Sequence, residues 1–158
     1  MKRTSGAISA AVLGTVLAAA VSGCSGPVTM DPAPDANNPE CATVIVNLPE
    51  GLAGLTPRET NAQSTKAWGD PTSVRLRCGV PVPAPTAEFP CITVDGIDWL
   101  RDAEDEPVTV FTTYGRDPAV QVVIDGAVVS GEPVLSGIAG AVSLVPAERE
   151  CVAVEDVR

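Results

Sequence analysis

The side chains of this sequence with the widest range of chemistry are its five cysteines, Cys24, Cys41, Cys78, Cys91 and Cys151. A thiolate can bind a metal ion, attack an electrophile or pair with a second cysteine, and its neighbours decide which of these it does. No two of the five stand at Cys-x-x-Cys spacing, and the chain contains no histidine. Structural zinc sites draw their ligands from such pairs and from histidine. We therefore expect no metal ion and no other cofactor.

Catalytic patterns are also missing from the sequence. Without histidine, the common serine and cysteine triads lose their general base, and neither a Gly-x-Ser-x-Gly elbow nor a Ser-x-x-Lys pair replaces it. The acidic run at residues 102–106 could offer oxygen ligands to calcium, but it lacks the glycine and the spacing of a calcium loop. A solvated hairpin tip is the expected role of this run. The chain is therefore expected not to be an enzyme.

The N-terminus has the pattern of an export signal. Lys2 and Arg3 precede an apolar stretch at residues 7–21, which is shorter than the roughly 20 residues that a membrane-spanning helix needs. The stretch ends in Val21-Ser22-Gly23-Cys24, which resembles the cleavage site of bacterial lipoproteins. We expect residues 1–23 to be a lipoprotein signal peptide and Cys24 to carry lipid that anchors the protein to the extracytoplasmic face of the cell membrane. An ordinary secretory signal with a chance cysteine is the alternative.

The charge of the exported chain limits its partners. Loss of Lys2 and Arg3 from the ten basic residues leaves eight against 20 acidic ones, a net charge of −12. Such a chain repels nucleic acid and anionic lipid headgroups, so neither is an expected partner. The membrane contact should come from the lipid on Cys24. The other four cysteines form an even set in an oxidising compartment, which predicts two disulfides with three pairings open.

The remaining pattern predicts one α+β domain at residues 39–158, preceded by a flexible tether at residues 24–38. Asn38-Pro39-Glu40 is a helix start, and we expect a helix at 39–48 although the β-branched run at 43–46 favours a strand. A second helix is expected at 132–145. Between the helices, an antiparallel sheet of about four to five strands is expected, and together they form a two-layer domain. The expected strands are 58–67, 74–80, 107–114 and 120–124, together with two strand-like pieces at 91–94 and 98–101 that the turn dipeptide Asp95-Gly96 joins.

Three segments in a fixed order point to a known family. They are Ala67-Trp68-Gly69-Asp70-Pro71, Val74-Arg75-Leu76-Arg77-Cys78-Gly79-Val80 and Val94-Asp95-Gly96-Ile97-Asp98-Trp99-Leu100. The chain resembles, from about residue 41 to about residue 145, the actinobacterial lipoprotein family known as domain of unknown function 3515. The resemblance implies a disulfide between Cys41 and Cys78, which leaves Cys91 to pair with Cys151. It supports the fold and the localisation and carries no activity.

Trp68 and Trp99 are two of only five aromatic side chains. A structural role, with the indole rings folded over the core, is one interpretation; a stacking platform for a ligand is the other. The expected function is a non-catalytic binding module for an unknown envelope protein or wall polymer. An accessory subunit of a membrane complex and a histidine-free cell-wall hydrolase are the alternatives.

Overall fold

The computed structural model describes residues 26–152, and its centre is one antiparallel sheet with two helices packed on one face. The expected signal peptide and Cys24 lie outside the described residues. The strand order across the sheet is β1-β2-β3-β7-β6-β5-β4. The elements are α1 (Pro39–Asn47), β1 (Pro57–Arg58), β2 (Thr65–Trp68), β3 (Val74–Val80), β4 (Cys91–Val94), β5 (Ile97–Asp102), β6 (Val108–Thr113), β7 (Ala119–Asp125) and α2 (Gly131–Val142).

The α+β class is confirmed, but the sheet has seven strands rather than four to five. One expected strand is two strands, and the two pieces joined by the expected turn at Asp95-Gly96 are separate strands of a hairpin. The segment expected at 58–67 is divided into β1 and β2 by a turn in which the Thr65 hydroxyl donates to the carbonyl of Ala62 at 2.6 Å. The segment at 91–101 folds back at Asp95 and Gly96, whose φ angles of 47° and 76° suit a tight hairpin turn. The proline-rich stretch at 81–90 is a loop between β3 and β4.

Helix α1 forms in spite of its β-branched residues. The side chain of Asn38 accepts a hydrogen bond from the backbone N–H of Glu40 at 3.0 Å, and Pro39 occupies the first turn. The helix turns Cys41 and Val44 into the core. Helix propensity differs by only a few tenths of a kcal/mol for each β-branched residue. Capping and burial therefore outweigh the strand preference of this run.

The N-terminal segment, residues 26–38, is not a flexible tether, so that expectation is wrong for this part of the chain. Val28 pairs with Thr60 next to β1, and Ala33 and Ala36 are buried. The amide of Asp35 donates to the carbonyl of Gly79 at 3.0 Å. Gly79 has a φ of 92°, and a side chain there would collide with the backbone at Asp35. The absence of a side chain at Gly79 thus lets this proline-rich segment pack on the sheet.

The core lies between the sheet and the helices. On β3, Val74, Leu76 and Cys78 are buried, whereas Arg75 is exposed on the other face. This alternation gives the strand one buried and one solvent-exposed face. Helix α2 is shorter than the expected 132–145, although Val145 is still buried. Within the described part of the chain, neither helix has the length and apolarity needed to cross a bilayer.

Candidate functional site

A polar cavity of about 280 Å³ lies at the edge of the sheet that carries β4. Three parts of the chain form its walls: the β4–β5 hairpin, the loop between β6 and β7, and the C-terminal segment, residues 147–151. We call it the Arg116 cavity, because Arg116 is the buried charge in its wall. Polar side chains in its walls are those of Thr93, Asp98, Tyr114, Arg116, Arg149 and Glu150.

The loop after β6 holds Arg116 against the C-terminal segment. Arg116 forms a backbone bridge with Ala147, and the carbonyl of Gly115 accepts a hydrogen bond from the amide of Glu148 at 2.7 Å. Gly115 has a φ of 73°, and a side chain there would overlap the main chain of Arg149. Only glycine allows the two backbones to come this close. The position of the guanidinium is therefore set by the backbone around it.

The guanidinium of Arg116 is almost completely buried, since the residue is only 6% exposed. Its Nη1 donates to the carbonyl of Val145, and its Nε is buried without a hydrogen-bond partner among the described residues. Burial lowers the pKa of this side chain from its ordinary value, while the nearby charge of Asp98 acts in the opposite direction. None of the ion pairs found within residues 26–152 includes Arg116. Arginine nevertheless stays protonated, so the wall contains a buried cation.

A second cation, Arg149, lies at the mouth of the cavity. Its guanidinium carbon is 5.8 Å from the centre of the Tyr114 ring, within the range of a cation–π contact. Arg149 is exposed, whereas Tyr114 is partly buried. The ring thus holds an exposed positive charge beside the buried one.

Asp98 fastens the walls of the cavity together. Its Oδ1 accepts a hydrogen bond from the hydroxyl of Thr93 and its Oδ2 one from the amide of Cys151, each at 2.6 Å. Cys151 is joined to Cys91 by a disulfide with a Cα–Cα distance of 5.8 Å. Both oxygens of this carboxylate are therefore engaged in holding the C-terminal segment to the hairpin.

A larger cavity of about 340 Å³ lies between the loop at residues 81–90 and the open face of the sheet. Phe89, Leu100 and Val110 contribute to its walls, which are more apolar than those of the Arg116 cavity. No arginine, lysine or buried unpaired polar group lines it. A third cavity of about 230 Å³ has Arg75 and Arg77 in its walls, but neither side chain is buried without a hydrogen-bond partner. Among the described residues, the cavity whose wall contains a buried, unpaired cation is the one around Arg116.

The two tryptophans do not form a ligand platform, and that interpretation is wrong. Trp68 and Trp99 are both 0% exposed and belong to the hydrophobic core. The indole N–H of Trp68 donates to the carbonyl of Glu50 at 3.0 Å, whereas that of Trp99 has no partner among the described residues. With no face open to a ligand, both residues have a structural role. The signal that suggested a platform was their rarity, and rarity does not distinguish a core position from a surface one.

The four cysteines of the described domain form two disulfides, Cys41–Cys78 and Cys91–Cys151. This is the pairing implied by the family resemblance. The first bridge fixes α1 on β3 inside the core, because both residues are fully buried. The second holds the C-terminal segment on β4. Cys24, the expected lipidation site, lies outside the described residues.

Other charged positions singled out in the sequence lie apart from the cavity. The acidic run at 102–106 is the tip of the β5–β6 hairpin, where Glu106 lies 3.6 Å from Arg101. Arg77 donates through Nε to the side-chain oxygen of Gln121 at 2.9 Å rather than to a carboxylate. In the described part of the chain, no group of three or more acidic or cysteine side chains is placed to hold a metal ion.

Comparison with known proteins gives one clear result. The sequence model of a family described as "Protein of unknown function (DUF3515)" matches residues 6–150, which is most of the chain. The chain belongs to this family. No curated protein and no solved structure shows significant similarity to it. Membership of the DUF3515 family therefore confirms the resemblance seen in the three sequence segments and assigns no activity.

The sequence reasoning missed Arg116, Tyr114 and Arg149 as site residues. Gly115-Arg116-Asp117-Pro118 reads as an ordinary turn between two strands. The available signal was a glycine directly before an arginine in that turn, since such a glycine permits close approach of another backbone. Which segment approaches it, and that the arginine becomes buried, depends on the course of the C-terminal segment.

Proposed function

We propose that this protein is a non-catalytic binding module of the cell envelope, anchored by lipid on Cys24 at the extracytoplasmic face of the membrane, with the Arg116 cavity turned away from that membrane. The proposed ligand is a component of the envelope, either a protein or a wall polymer. The observation that carries the proposal is the packing of the N-terminal segment against β1, at the sheet edge opposite the cavity.

The contacts of the N-terminal segment support an anchor close to the β1 edge. The Nη2 of Arg58, in β1, donates to the carbonyl of Gly26 at 3.2 Å, and the amide of Val28 donates to the carbonyl of Glu59 at 2.8 Å. Cys24 precedes Gly26 by two residues, which span at most about 7 Å. Lipid on Cys24 would therefore hold the β1 edge close to the headgroups instead of leaving the domain on a long tether.

The width of the sheet then sets the distance of the cavity from the membrane. Strands β1 and β4 are the two outermost of seven. The cavity walls extend from the end of β6 to β4, which lie four to six inter-strand spacings from β1, or roughly 19–29 Å at about 4.8 Å each. This reach would place the Arg116 cavity well beyond the headgroups, where an envelope component can enter it.

The side chains of the cavity favour binding over catalysis. Both oxygens of Asp98 already accept hydrogen bonds from Thr93 and Cys151. Such a carboxylate is held in place as a structural link, and moving a proton through it would weaken the contact between hairpin and C-terminal segment. Arg116 and Arg149 remain charged and provide attraction without a nucleophile.

Membrane anchoring is tested by fractionation and intact mass. The Cys24→Ala variant should appear in the soluble fraction, whereas Thr29→Ala, an exposed change in the N-terminal segment, should stay in the membrane with the wild-type protein. Wild-type protein should begin at Cys24 and carry added acyl mass. Equal membrane retention of Cys24→Ala would contradict the anchoring scheme.

The binding role is tested in the native envelope with a photo-crosslinking residue. Placed at the exposed position of Glu150 on the cavity, it should give a defined adduct with a wall polymer or an envelope protein. The matched control is the same residue at Val46, an exposed position on α1 that is 78% accessible. An identical set of adducts at both positions would contradict a role for the cavity.

A further inference from the structure

The Arg116 cavity contains a buried positive charge that the described residues leave without an ion-pair partner. We propose that this cavity binds a small ligand, or one end of a larger one, through a single carboxylate group. The inference rests on the proposed binding function and deepens it by naming the chemical class of the ligand.

The need for an anion follows from the surroundings of Arg116. A buried cation is costly unless it is paired and its N–H groups are bonded. The guanidinium of Arg116 donates through Nη1 to the uncharged carbonyl of Val145, and its buried Nε has no hydrogen-bond partner within residues 26–152. The negative charge of Asp98 acts on Arg116, but both oxygens of that carboxylate accept hydrogen bonds from other groups. An incoming oxyanion would supply the missing charge and a charge-assisted hydrogen bond.

The charge balance of the cavity favours a monoanion. Arg116 and Arg149 supply two positive charges to the walls, and Asp98 and Glu150 supply two negative ones. A carboxylate that enters between the arginines brings one negative charge. A phosphate dianion would bring two into walls that already contain two carboxylates, and like charges at close range repel strongly.

The size and shape of the cavity limit what accompanies the carboxylate. Its volume of about 280 Å³ falls just below the range of roughly 300–1,000 Å³ that is usual for small-molecule sites. The site therefore accepts a short group such as one amino acid at the end of a peptide. The ring of Tyr114 offers an apolar surface beside the carboxylate, and Arg149 over that ring can swing toward the incoming charge.

The test is a titration of the full chain, purified in detergent with both disulfides formed, followed by NMR of backbone amides and arginine side chains. The probe is N-acetylalanine, which carries one carboxylate; its amide lacks the charge, and inorganic phosphate is the competing anion. We expect saturable shifts at Tyr114, Arg116 and Arg149 with N-acetylalanine at a Kd below about 10 mM. The amide should give no saturable shifts, and phosphate should bind more weakly than N-acetylalanine.

Two arginine variants show whether the shifts come from the cavity. Arg149→Gln is an exposed change that leaves the buried charge in place, and it should raise the Kd about threefold, as expected for the loss of one solvent-exposed charge contact. Arg75→Gln removes the same charge from the exposed side of β3, outside the cavity, and should leave the Kd unchanged. Arg116→Lys keeps the charge but loses the planar donor group, and should weaken binding further if the variant folds.

The outcomes separate this inference from the proposed function. Equal binding of the amide, tighter binding of phosphate, shifts confined to other residues, or no saturable shift at all would each overturn the carboxylate assignment. A cavity-specific crosslink at position 150 would in that case still support the proposed binding function, with a ligand of a different chemical class. Equal loss of affinity in Arg75→Gln and Arg149→Gln would also overturn it, since general electrostatics would then account for the binding.

Discussion

Trp68 and Trp99 differ in one respect that a pair of substitutions can measure. Both indoles are 0% exposed in the same core, yet only that of Trp68 has a hydrogen-bond partner for its N–H, the carbonyl of Glu50 at 3.0 Å. The N–H of Trp99 is buried without one among the described residues. Changing each tryptophan to phenylalanine removes the same ring atoms and the same N–H group. The comparison therefore isolates the contribution of the hydrogen-bond acceptor to the free energy of unfolding.

The expected difference in the free energy of unfolding follows from this bonding. Trp68→Phe loses a hydrogen bond worth about 1 kcal/mol net, and Glu50 is exposed enough for its carbonyl to find water. Trp99→Phe removes a buried donor whose unsatisfied state costs about 1–3 kcal/mol, so this variant recovers energy. The loss of packing is similar for both changes. Trp68→Phe should therefore be less stable than Trp99→Phe by about 2 kcal/mol or more.

Urea unfolding of the two oxidised variants, followed by circular dichroism, measures the difference. With a slope of about 2 kcal/mol per molar urea, the midpoint of Trp68→Phe should lie about 1 M below that of Trp99→Phe. Equal slopes in the two variants are required for this comparison. A midpoint for Trp99→Phe at or below that of Trp68→Phe would refute the reasoning, because it would show that the N–H of Trp99 has a partner in solution.

Two further predictions concern the ends of the described chain. Gly115→Ala should lower the free energy of unfolding by at least about 1–3 kcal/mol and loosen the C-terminal segment, because its φ of 73° and the main chain of Arg149 leave no room for a side chain. The control is Gly140→Ala in α2, which should stabilise the protein because an added Cβ at this position meets no atom within 4 Å. Equal destabilisation of both variants in thermal unfolding would contradict this explanation. In hydrogen exchange, the amides of Val28 and Asp35 should be protected, because both donate hydrogen bonds to the sheet or to residues beside it. Exchange at the rate of an unfolded peptide would show instead that this segment is a flexible tether.

The fold was predictable from the sequence where local chemistry and burial agree. Asn38-Pro39-Glu40 marks the start of α1 correctly, and Asp95-Gly96 marks a hairpin turn. The strand count was too low in part because the turn between β1 and β2 lies inside the apparently continuous segment 58–67 and has no strong local signal. The N-terminal segment was misjudged for a related reason: its composition lacks apolar runs, but Gly79, far along the chain, gives it a surface to bind.

The candidate site was far less predictable than the fold. The rare tryptophans and the dense acidic run are the conspicuous features of the sequence, but they lie in the core and at a hairpin tip. Arg116 looked like any turn arginine, because its burial depends on contacts with residues 145–148, about 30 positions later in the chain. Sequence alone identifies residue types, whereas an unpaired buried charge is a property of long-range packing.

Under the proposed lipid anchoring, the two edges of the sheet bear on how copies of the protein behave when many share one patch of membrane. Molecules confined to a plane collide far more often than in free solution, and an unpaired strand edge is a template for fusing neighbours into fibres. Here one border strand has only two residues and begins with Pro57, and the other has four, with Cys91 bridged to Cys151. Because both edge strands are short and one is fixed by a disulfide, they offer a neighbouring molecule little free backbone for β-sheet pairing. Crowded copies of this protein should thus remain separate particles.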